Sequence, residues 1–552
     1  MIRLQQKNLV QTLRRGLGYR SLITLKDFAT VDPDSISDSN IYTVNNFING
    51  EFKVTKDLTD VVDPMTGKVF IKVANTSSSE LSTFVTSLNS CSKSGLHNPL
   101  KKPERYLDYG DMTAKVAASL KEKEVEDFFT KLIQRVAPKS DGQARGEVKV
   151  TQAFFENFGG DNPRFLARTF SVPGDHEGQM SQGLRWPYGP CTLITPFNFP
   201  LEISALQLFG GLFMGNKLTL KTDPKVSIVM EQCIRLMLAC GMNPKDMDYL
   251  NCDGPTTEMF LNLAQPKMTL FTGSQKVAER VTENMQGRVK LEDAGFDWKV
   301  LGPDSATKGS ADFEYVAHVC DQDAYAFSGQ KCSAQSVLFA HRNWVKEGLL
   351  ERCAELASLR NVEDLTVGPV LTVTDETYKN YMDEILKVPG SKIRWGGEFL
   401  PRDKYTVPSC YGFWQPTAIE VPLSAFVSPD TMGICNTEIF GPNQLVVTYD
   451  DDDIPMLLEA LESMKNHLTA AVVSNDVRFR HHMLANTVNG TTYAGMRART
   501  TGAPQNHHFG PCGSPLAAGI GSPEAIRRVW SCHREIIMDE LVPLDFKVPA
   551  RT

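Results

Sequence analysis

Short apolar runs alternate with longer amphipathic segments between residues 188 and 285. The apolar runs have strand length and predict buried strands at 191–195, 217–221, 246–250 and 268–272. The segments between them have helical periodicity and predict helices at 200–215, 224–240, 256–264 and 275–285. Strands separated by helices of this length indicate parallel βαβ units in a doubly wound sheet. Such a sheet binds ligands beyond the carboxyl ends of its strands.

Two of these helices have recognisable starts. Asp223 is placed as an N-cap, Pro224 follows at the first helical position, and Gly241 ends that helix. Gly273 and Ser274 begin another helix, where free N–H groups favour an anion, although most such pairs are ordinary caps. No Gly-x-Gly-x-x-Gly follows these strands, and Asn216 stands where a P-loop would have its lysine. Neither common phosphate fingerprint is therefore present.

The first 30 residues differ in amino-acid composition from the rest of the chain. Six basic residues and no acidic one precede Asp27, and apolar residues lie between them. On a helix they form an apolar stripe beside a cationic face, which is typical of a mitochondrial transit peptide. A disordered basic tail is the alternative. We predict a transit peptide over residues 1–30 and a location in the mitochondrial matrix.

Length and charge exclude several classes of protein. A chain of 552 residues is too long for one compact core, and its net charge of -7 offers no general attraction to nucleic acid or to an anionic membrane. The longest weakly charged stretch, 188–216, is interrupted by prolines, so no membrane span is expected. The 12 cysteines are too sparse for a disulfide scaffold and lack zinc-type pairing, so we expect a reducing compartment and no metal.

One cysteine has a setting unlike the others. Cys332 ends the run Phe327-Ser328-Gly329-Gln330-Lys331-Cys332, directly after a glycine and two polar residues. A single cysteine is more often a small core residue. This run, however, resembles the nucleophile motif of the NAD(P)-dependent aldehyde dehydrogenase superfamily.

Three further motifs of that superfamily follow the same order along the chain. They are Thr195-Pro196-Phe197-Asn198-Phe199-Pro200, Leu291-Glu292-Asp293-Ala294-Gly295 and Glu438-Ile439-Phe440-Gly441-Pro442. The resemblance extends from about residue 45 to residue 542. In detail the chain is most similar to the plant-type mitochondrial Δ1-pyrroline-5-carboxylate (glutamate-semialdehyde) dehydrogenases, on Thr195-Pro196-Phe197, Lys331-Cys332-Ser333-Ala334 and His507-His508-Phe509-Gly510-Pro511.

The resemblance implies catalytic roles for three residues. The thiolate of Cys332 would attack the aldehyde carbon, and the side-chain amide of Asn198 with the backbone N–H of Cys332 would stabilise the oxyanion that forms. Glu292 would be the general base, for the thiol or for the water that hydrolyses the thioester. Taken alone, Glu292 is more simply a solvated carboxylate at a strand end.

The resemblance also implies an NAD site. Lys221 would bind the adenine ribose, Ser274 would lie near the pyrophosphate, and Glu438 would bind the nicotinamide ribose with Phe440 beside it. The remaining residues assigned to the cofactor are Thr195, Pro196, Phe197 and Gly273. Pro224 occupies a position where many members of the family have a ribose-binding Glu, so the choice between NAD and NADP stays open, with NAD favoured.

The substrate implied by the resemblance is L-glutamate 5-semialdehyde. Ser333 and the loop of Gly510, Pro511, Cys512, Gly513 and Ser514 would hold its amino-acid head group, although a plain connection is an equal interpretation of that loop. The expected function is NAD-dependent oxidation to L-glutamate, the last step of proline catabolism. The alternatives are action on another aldehyde, including methylmalonate semialdehyde with coenzyme A as acceptor, and a non-catalytic binding or structural protein.

The expected architecture is α/β. The resemblance implies a doubly wound NAD-binding domain at 40–165 and 184–297, and an α/β catalytic domain at 298–510. It also implies a small β oligomerisation flap, formed by residues 166–183 and 530–552, and a homo-oligomer of two or more chains.

Overall fold

The structure is a computed structural model that describes residues 22–293, 295–465, 467–502 and 507–552. Its strands in chain order are β1 (Tyr42–Val44), β2 (Asn46–Ile48), β3 (Glu51–Lys53), β4 (Asp57–Val62), β5 (Val69–Asn75), β6 (Phe170–Pro173), β7 (Gln179–Pro187), β8 (Pro190–Thr195), β9 (Lys217–Thr222), β10 (Met247–Tyr249), β11 (Met268–Thr272), β12 (Val289–Glu292), β13 (Asp297–Leu301), β14 (Gln335–His341), β15 (Lys392–Trp395), β16 (Thr417–Glu420), β17 (Asn443–Tyr449), β18 (Thr469–Val473), β19 (Thr491–Ala494) and β20 (Ser531–Asp539).

Helices lie between most of these strands. The α-helices are Leu25–Phe28, Leu81–Asn89, Arg105–Lys121, Lys123–Val136, Asp141–Asn157, Glu202–Phe213, Ser227–Ala239, Gly254–Ala264, Gln275–Asn284, Ala311–Tyr325, Arg342–Lys346, Leu349–Ser358, Asp375–Ile385, Met432–Cys435, Ile454–Ser463, Val477–Ala485 and Pro523–Trp530. Short 3-10 helices occupy Ser78–Glu80, Asn162–Ala167, Pro224–Val226, Ala326–Gly329, Leu423–Phe426 and Asp451–Asp453.

The first large sheet has seven strands in the order β12-β11-β8-β9-β10-β2-β3. Strands β8 to β12 are parallel, and β2 joins them antiparallel. The predicted strands and the helices between them are confirmed, with ends that differ by at most three residues. Thr195 pairs with Thr222 and Thr272 pairs with Glu292, so these four residues share the carboxyl edge where a doubly wound sheet binds ligands.

The helix Glu202–Phe213 is buried on every side, not only on the face predicted to be apolar. Its second face packs against the C-terminal helix, and the glycines Gly210 and Gly211 make that approach possible. A Cβ on Gly210 would lie 2.8 Å from Nε1 of Trp530. The side chain of Trp530 thus occupies space that only a glycine leaves free.

The second large sheet also has seven strands, in the order β15-β16-β17-β14-β13-β18-β19. All its pairs are parallel except β15 with β16. The chain passes from one sheet to the other between Glu292, the last residue of β12, and Asp297, the first residue of β13. The two sheets are therefore joined directly beside the candidate base Glu292.

Two small sheets complete the fold. One has the order β1-β5-β4, and the other, β20-β7-β6, joins residues 170–187 to the C-terminal strand in an antiparallel arrangement. The sheet β20-β7-β6 leaves large apolar side chains exposed on its surface: Phe170, Val172, Met180, Ile537 and Met538. It overlaps the segments 166–183 and 530–552 assigned from the sequence to the flap, although β7 continues to Pro187.

The predicted transit peptide falls mostly on residues 1–21, which lie outside the described residues. The last part of that segment is folded onto the protein. Phe28, at the end of the helix Leu25–Phe28, is buried and its ring contacts those of Phe128 and Phe129. The backbone N–H of Thr30 donates to Oε1 of Gln232 at 3.1 Å. Part of the predicted range 1–30 thus packs against the rest of the protein.

Across the described residues, no helix combines the length and the apolar character that a membrane crossing requires. Those same residues bring no three His, Cys, Asp or Glu side chains together in a geometry that would hold a metal ion.

Candidate active site

A cavity of about 370 Å³ lies where the carboxyl edge of the first sheet meets the segment that leads into β14. This volume is within the usual range for small-molecule sites. Its polar lining includes Glu147, Glu202, Glu292, Lys331, Cys332, Ser333, Arg499 and Thr501, and its apolar lining includes Val150, Phe199, Ile203, Phe509 and Ile520. Two of the three predicted catalytic residues, Cys332 and Glu292, therefore lie at one cavity.

The turn before Cys332 has an unusual backbone. Phe327 and Ser328 have φ values of 57° and 51°, and Gly329 follows at 66°. Left-handed conformations at consecutive non-glycine residues are costly and persist only where surrounding contacts enforce them. Here Ser328 Oγ accepts from the N–H of Gly368 at 2.8 Å, and Gln330 Oε1 accepts from the N–H of Leu371 at 2.8 Å. These bonds fix the backbone that presents Cys332.

Two glycines allow the separate motifs to meet at the thiol. A Cβ on Gly295 would lie 1.7 Å from the carbonyl oxygen of Cys332, and a Cβ on Gly329 would lie 2.1 Å from the carbonyl oxygen of Gly441. No larger residue fits either contact. Ala294, in the middle of one motif, lies outside the described residues. The contacts explain why motifs distant in sequence contain glycine at these positions.

The thiol of Cys332 and the carboxyl group of Glu292 are direct neighbours and affect each other's ionisation. Burial raises the pKa of Glu292 to about 7, and the interaction with Cys332 partly opposes that rise. Burial and then Glu292 raise the pKa of Cys332 well above its ordinary value. Within the described residues, Oε1 of Glu292 has no hydrogen-bond partner. A carboxyl group with a pKa near 7 is suited to act as a general base at neutral pH.

The loop that carries Asn198 is held from behind by a buried ion pair. Lys139 and Glu147 have no exposed side-chain surface, and their charged groups are 2.9 Å apart. Nζ of Lys139 also donates to the carbonyl oxygen of Asn198 at 2.8 Å, and Oε1 of Glu147 accepts from the N–H of Leu201 at 2.8 Å. Asn198 itself is buried, and its Oδ1 has no partner among the described residues.

The same ammonium group contacts the cysteine turn. Nζ of Lys139 lies 4.5 Å from the ring centroid of Phe199 and 4.1 Å from that of Phe327, within the range of cation–π attraction. Burial lowers the pKa of Lys139, while Glu147 opposes that effect. Lys139 thus joins the Asn198 loop to the turn that precedes Cys332.

The residues predicted to bind a cofactor cluster around the carboxyl edge of the first sheet. Thr195 and Lys221 end or nearly end the neighbouring strands β8 and β9, Pro196 follows directly, and Gly273 and Ser274 follow β11. Ser274 is the N-cap of the helix Gln275–Asn284, although its side chain makes no capping bond. The rings of Phe197 and Phe440 are 6.0 Å apart, which brings two of the sequence motifs together.

Glu438 adjoins this cluster and is half-buried. Burial raises the pKa of its carboxyl group well above the ordinary value, Asp297 adds to the rise, and the backbone N–H of Gly295 opposes it. The hydroxyl of Ser274 and the ammonium of Lys221 have no hydrogen-bond or ion-pair partner within the described part of the chain. These groups are therefore available to a ligand.

The predicted substrate residues separate into two groups. Ser333 is buried and lines the cavity, whereas none of Gly510, Pro511, Cys512, Gly513 and Ser514 lines it. The residues flanking that loop, Phe509 and Ile520, line the cavity instead and pair with each other through backbone hydrogen bonds of 3.1 and 2.7 Å. The N–H of Cys512 donates to the carbonyl oxygen of His467, away from Cys332. The role predicted for this loop stays a prediction.

Sequence reasoning missed several polar residues at or beside this site, among them Lys139, Glu147, Glu202 and Arg499. Lys139 and Glu147 flank the start of the helix Asp141–Asn157, where a lysine and a glutamate are unremarkable. Glu202 was the one charge within an apolar run, which marks a candidate for a buried functional group. Arg499 has no local pattern that distinguishes it from other surface arginines.

The aldehyde dehydrogenase family model matches residues 53–526. The chain belongs to the aldehyde dehydrogenase family and is an enzyme of that class, so the predicted family and α/β fold class are confirmed. It is 54% identical over 527 residues to Delta-1-pyrroline-5-carboxylate dehydrogenase 12A1, mitochondrial, from Arabidopsis thaliana, with 95% of this chain and 94% of that protein covered.

Solved structures share the fold at lower identity. Methylmalonate-semialdehyde dehydrogenase from Oceanimonas doudoroffii matches with a TM-score of 0.76 at 18% identity, over 91% of this chain and 99% of that chain. Aldehyde dehydrogenase 21 from Physcomitrella patens matches with a TM-score of 0.75 at 17% identity, over 92% and 100%. At these identities the likeness shows the fold alone.

Proposed function

We propose that this enzyme oxidises L-glutamate 5-semialdehyde, the open form of 1-pyrroline-5-carboxylate, to L-glutamate with NAD⁺. The reaction is the last step of proline catabolism. The observation that carries the chemistry is the pair formed by Cys332 and Glu292 at the cavity. The 54% identity to the Arabidopsis enzyme supports the substrate and, through its name, a mitochondrial location.

The first step is addition of Cys332 to the aldehyde carbon. Glu292 accepts the thiol proton, which is needed because the pKa of Cys332 is raised and little thiolate forms unaided at neutral pH. The new oxyanion requires donors, and the amide of Asn198 with the backbone N–H of Cys332 is the proposed pair. The Asn198 amide can turn its NH₂ group toward the oxyanion, because its Oδ1 makes no hydrogen bond to the described residues.

The groups at the carboxyl edge fit a dinucleotide. The unpartnered ammonium of Lys221 suits ribose hydroxyls, and the N-cap at Ser274 suits a phosphate. Gly273 leaves space beside Phe271 that a Cβ, only 2.7 Å from that ring, would fill. Thr195, Pro196 and Phe197 would complete this side of the site. Glu438 with Phe440 would hold the nicotinamide ribose.

When bound, NAD⁺ supplies the hydride acceptor that converts the cysteine adduct of the aldehyde into a thioester. The protein then has to hydrolyse that thioester. Once its carboxyl group has released the thiol proton to solvent, Glu292 can accept a proton from the attacking water and pass it to the departing sulfur, since it faces the sulfur of Cys332 and has one free carboxylate oxygen. Cys332 leaves as a thiol, and the acid is released.

The division of the chain is also part of this proposal. An NAD-binding domain at 40–165 and 184–297 and a catalytic domain at 298–510 are supported by the change of sheet between Glu292 and Asp297. The sheet β20-β7-β6 is the proposed flap, and its exposed apolar side chains support pairing with a second copy of the chain. The transit peptide over residues 1–30 would direct the protein to the mitochondrial matrix.

An assay with purified protein, NAD⁺ and a panel of aldehydes tests the function. We expect glutamate semialdehyde to give a kcat/KM at least about tenfold above that of hexanal, because apolar chains leave buried polar groups of the cavity unpaired. Equal kcat/KM values for the two aldehydes would refute glutamate semialdehyde as the preferred substrate. The alternative is a dehydrogenase that oxidises methylmalonate semialdehyde with coenzyme A as acceptor. Coenzyme A-dependent activity on that aldehyde, with no activity on glutamate semialdehyde, would establish this alternative.

A further inference from the structure

The cavity contains a buried carboxyl group that neither the fold nor the proposed chemistry uses. Glu202 is 8% exposed, begins the helix Glu202–Phe213 and lines the cavity together with Cys332. Its carboxyl group makes no hydrogen bond or ion pair with any group in the described ranges. A buried carboxyl group without a hydrogen-bond or ionic partner destabilises a fold. Its presence in a cavity therefore indicates a ligand that supplies the missing partner.

The other carboxylates nearby are already engaged. Glu147 is paired with Lys139 and accepts from the backbone at Leu201, and Glu292 interacts with the thiol of Cys332. Burial and the charge of Glu147 raise the pKa of Glu202 to about 8. An arriving cation would reverse that rise and would be held by the ionised carboxylate.

A cation without a carboxylate partner lines the same cavity. The guanidinium of Arg499 is exposed and lies 5.1 Å from the ring centroid of Tyr493, and it makes no ion pair within the described ranges. A guanidinium binds carboxylates through two parallel hydrogen bonds. Lys331 also lines the cavity, and its charge partly opposes the rise in the pKa of Glu202, but no ion pair joins the two side chains within the described ranges.

We propose that Glu202 and Arg499 form a binding site for the α-amino-acid end of the substrate, with Glu202 on the ammonium and Arg499 on the carboxylate. This inference rests on the proposed function. It explains how the enzyme would select an aldehyde with an amino-acid end over an acid aldehyde that lacks the amine. Ser333 remains at the end of the cavity nearest Cys332. The loop Gly510–Ser514 has no part in this arrangement, because it does not line the cavity.

The ion pair has a chemical consequence for the substrate. The free amine of a five-carbon amino aldehyde attacks its own carbonyl group, loses water and forms a cyclic imine. An ammonium held by Glu202 has no lone pair, so that attack cannot occur while the substrate is bound. The carbonyl carbon then remains available to Cys332.

The test uses three aldehydes that differ by one group at a time: L-glutamate 5-semialdehyde, glutarate semialdehyde, which lacks the amine, and pentanal, which lacks both groups. For Glu202→Gln we expect kcat/KM on glutamate semialdehyde to fall by roughly 10- to 100-fold, the usual value of a hydrogen bond to a charged group. Activity on glutarate semialdehyde should change by less than about threefold. The retained activity on glutarate semialdehyde also reports a folded enzyme.

Arg499→Gln should lower kcat/KM on both acid aldehydes by a similar factor and leave pentanal unchanged. Arg497→Gln is the matched control, because Arg497 is exposed on the same loop, lies against Tyr315 and does not line the cavity. It should leave all three substrates unchanged. Binding of the products to the resting enzyme gives a readout without turnover: Glu202→Gln should weaken the binding of L-glutamate and not that of glutarate.

An equal loss on glutamate semialdehyde and glutarate semialdehyde in Glu202→Gln, or no loss on either, overturns the role of Glu202. Unchanged activity of Arg499→Gln on the acid aldehydes overturns the role of Arg499. Both results leave the proposed function intact if the unmodified enzyme oxidises glutamate semialdehyde efficiently. An unmodified enzyme that does not oxidise glutamate semialdehyde defeats the proposed function, and this inference with it.

Discussion

Nζ of Lys139 donates a 2.8 Å hydrogen bond to the backbone carbonyl of Asn198, from a side chain with no exposed surface. The bond restrains the loop whose amide is the proposed oxyanion donor. A donor of this kind acts only when it is fixed where the charge develops, because it then needs no reorganisation during the reaction. We therefore expect Lys139 to position the proposed oxyanion donor.

Replacing Lys139 should separate stability from positioning. Lys139→Met leaves the carboxylate of Glu147 buried and unpaired, so we expect a loss of about 3–5 kcal/mol in the free energy of unfolding, measured with urea. Adding Glu147→Gln removes that charge but keeps an acceptor for the N–H of Leu201, so much of the stability should return. Turnover should stay low in the double variant, because the bond to Asn198 is still absent.

The matched control for this experiment is Lys149→Met. Lys149 is on the helix Asp141–Asn157 and its side chain is 60% exposed, 3.9 Å from Glu126, so little change is expected in stability or turnover. Full recovery of kcat in the double variant would show that Lys139 acts on stability alone.

Replacing Cys332 should abolish oxidation and leave the cofactor site intact. Cys332→Ala removes the atom that bonds to the substrate, while its neighbours lose only one sulfur. NAD⁺ binding, followed by quenching of protein fluorescence, should be unchanged. Cys410→Ala, at an exposed cysteine, is the control and should retain full activity. Turnover of the Cys332 variant near that of the unmodified enzyme would exclude this residue as nucleophile.

The dependence of activity on pH should follow Glu292. Burial raises its pKa to about 7, so below that pH the carboxyl group keeps its proton and cannot accept one from Cys332. We expect kcat/KM to fall as the pH is lowered through about 7, with an apparent pKa that belongs to the Cys332–Glu292 pair. Glu292→Gln should lose this dependence, and both the first turnover and the steady state should be strongly slowed, because no group then accepts the thiol proton.

A full burst of reduced cofactor followed by slow hydrolysis in Glu292→Gln would mean that Glu292 acts only after hydride transfer, on the water. An unchanged pH profile in that variant would assign the base to another group.

Gly329 should tolerate no side chain. Its φ of 66° disfavours other residues, and a Cβ would lie 2.1 Å from the carbonyl oxygen of Gly441. We expect Gly329→Ala to lower the free energy of unfolding by at least about 2 kcal/mol and to displace the cysteine turn, with a loss of activity. Gly433→Ala is the control, because a Cβ there meets no atom within 4 Å. Equal stability of the two variants would contradict the packing argument.

The sequence was most informative where function depends on local pattern. The strand and helix periods from Cys191 to Met285 predicted the parallel sheet, and the Gly329–Cys332 run singled out a cysteine that lines the cavity. It was least informative for contacts between distant segments. Glu202 and Arg499 line one cavity although nearly 300 residues separate them in the sequence. Neither a hydrophobic periodicity nor a helix-capping residue predicts that they come together. Likewise, nothing near Lys139 in sequence indicates that its ammonium reaches Asn198.

The passage of the chain from β12 to β13 affects the distance between the candidate base Glu292 and Cys332. Glu292 is the last residue of one sheet, whereas Cys332 precedes a central strand of the other. A rotation of one sheet against the other would therefore change the distance between the carboxyl group and the thiol. The N–H of Leu291 donates to the carbonyl oxygen of Leu516, and the carbonyl oxygen of Leu291 accepts from the N–H of Ala518, each at 2.8 Å. Because the N–H of Cys512 also donates to His467, just before β18, residues 512–518 join the two sheets and oppose such a rotation.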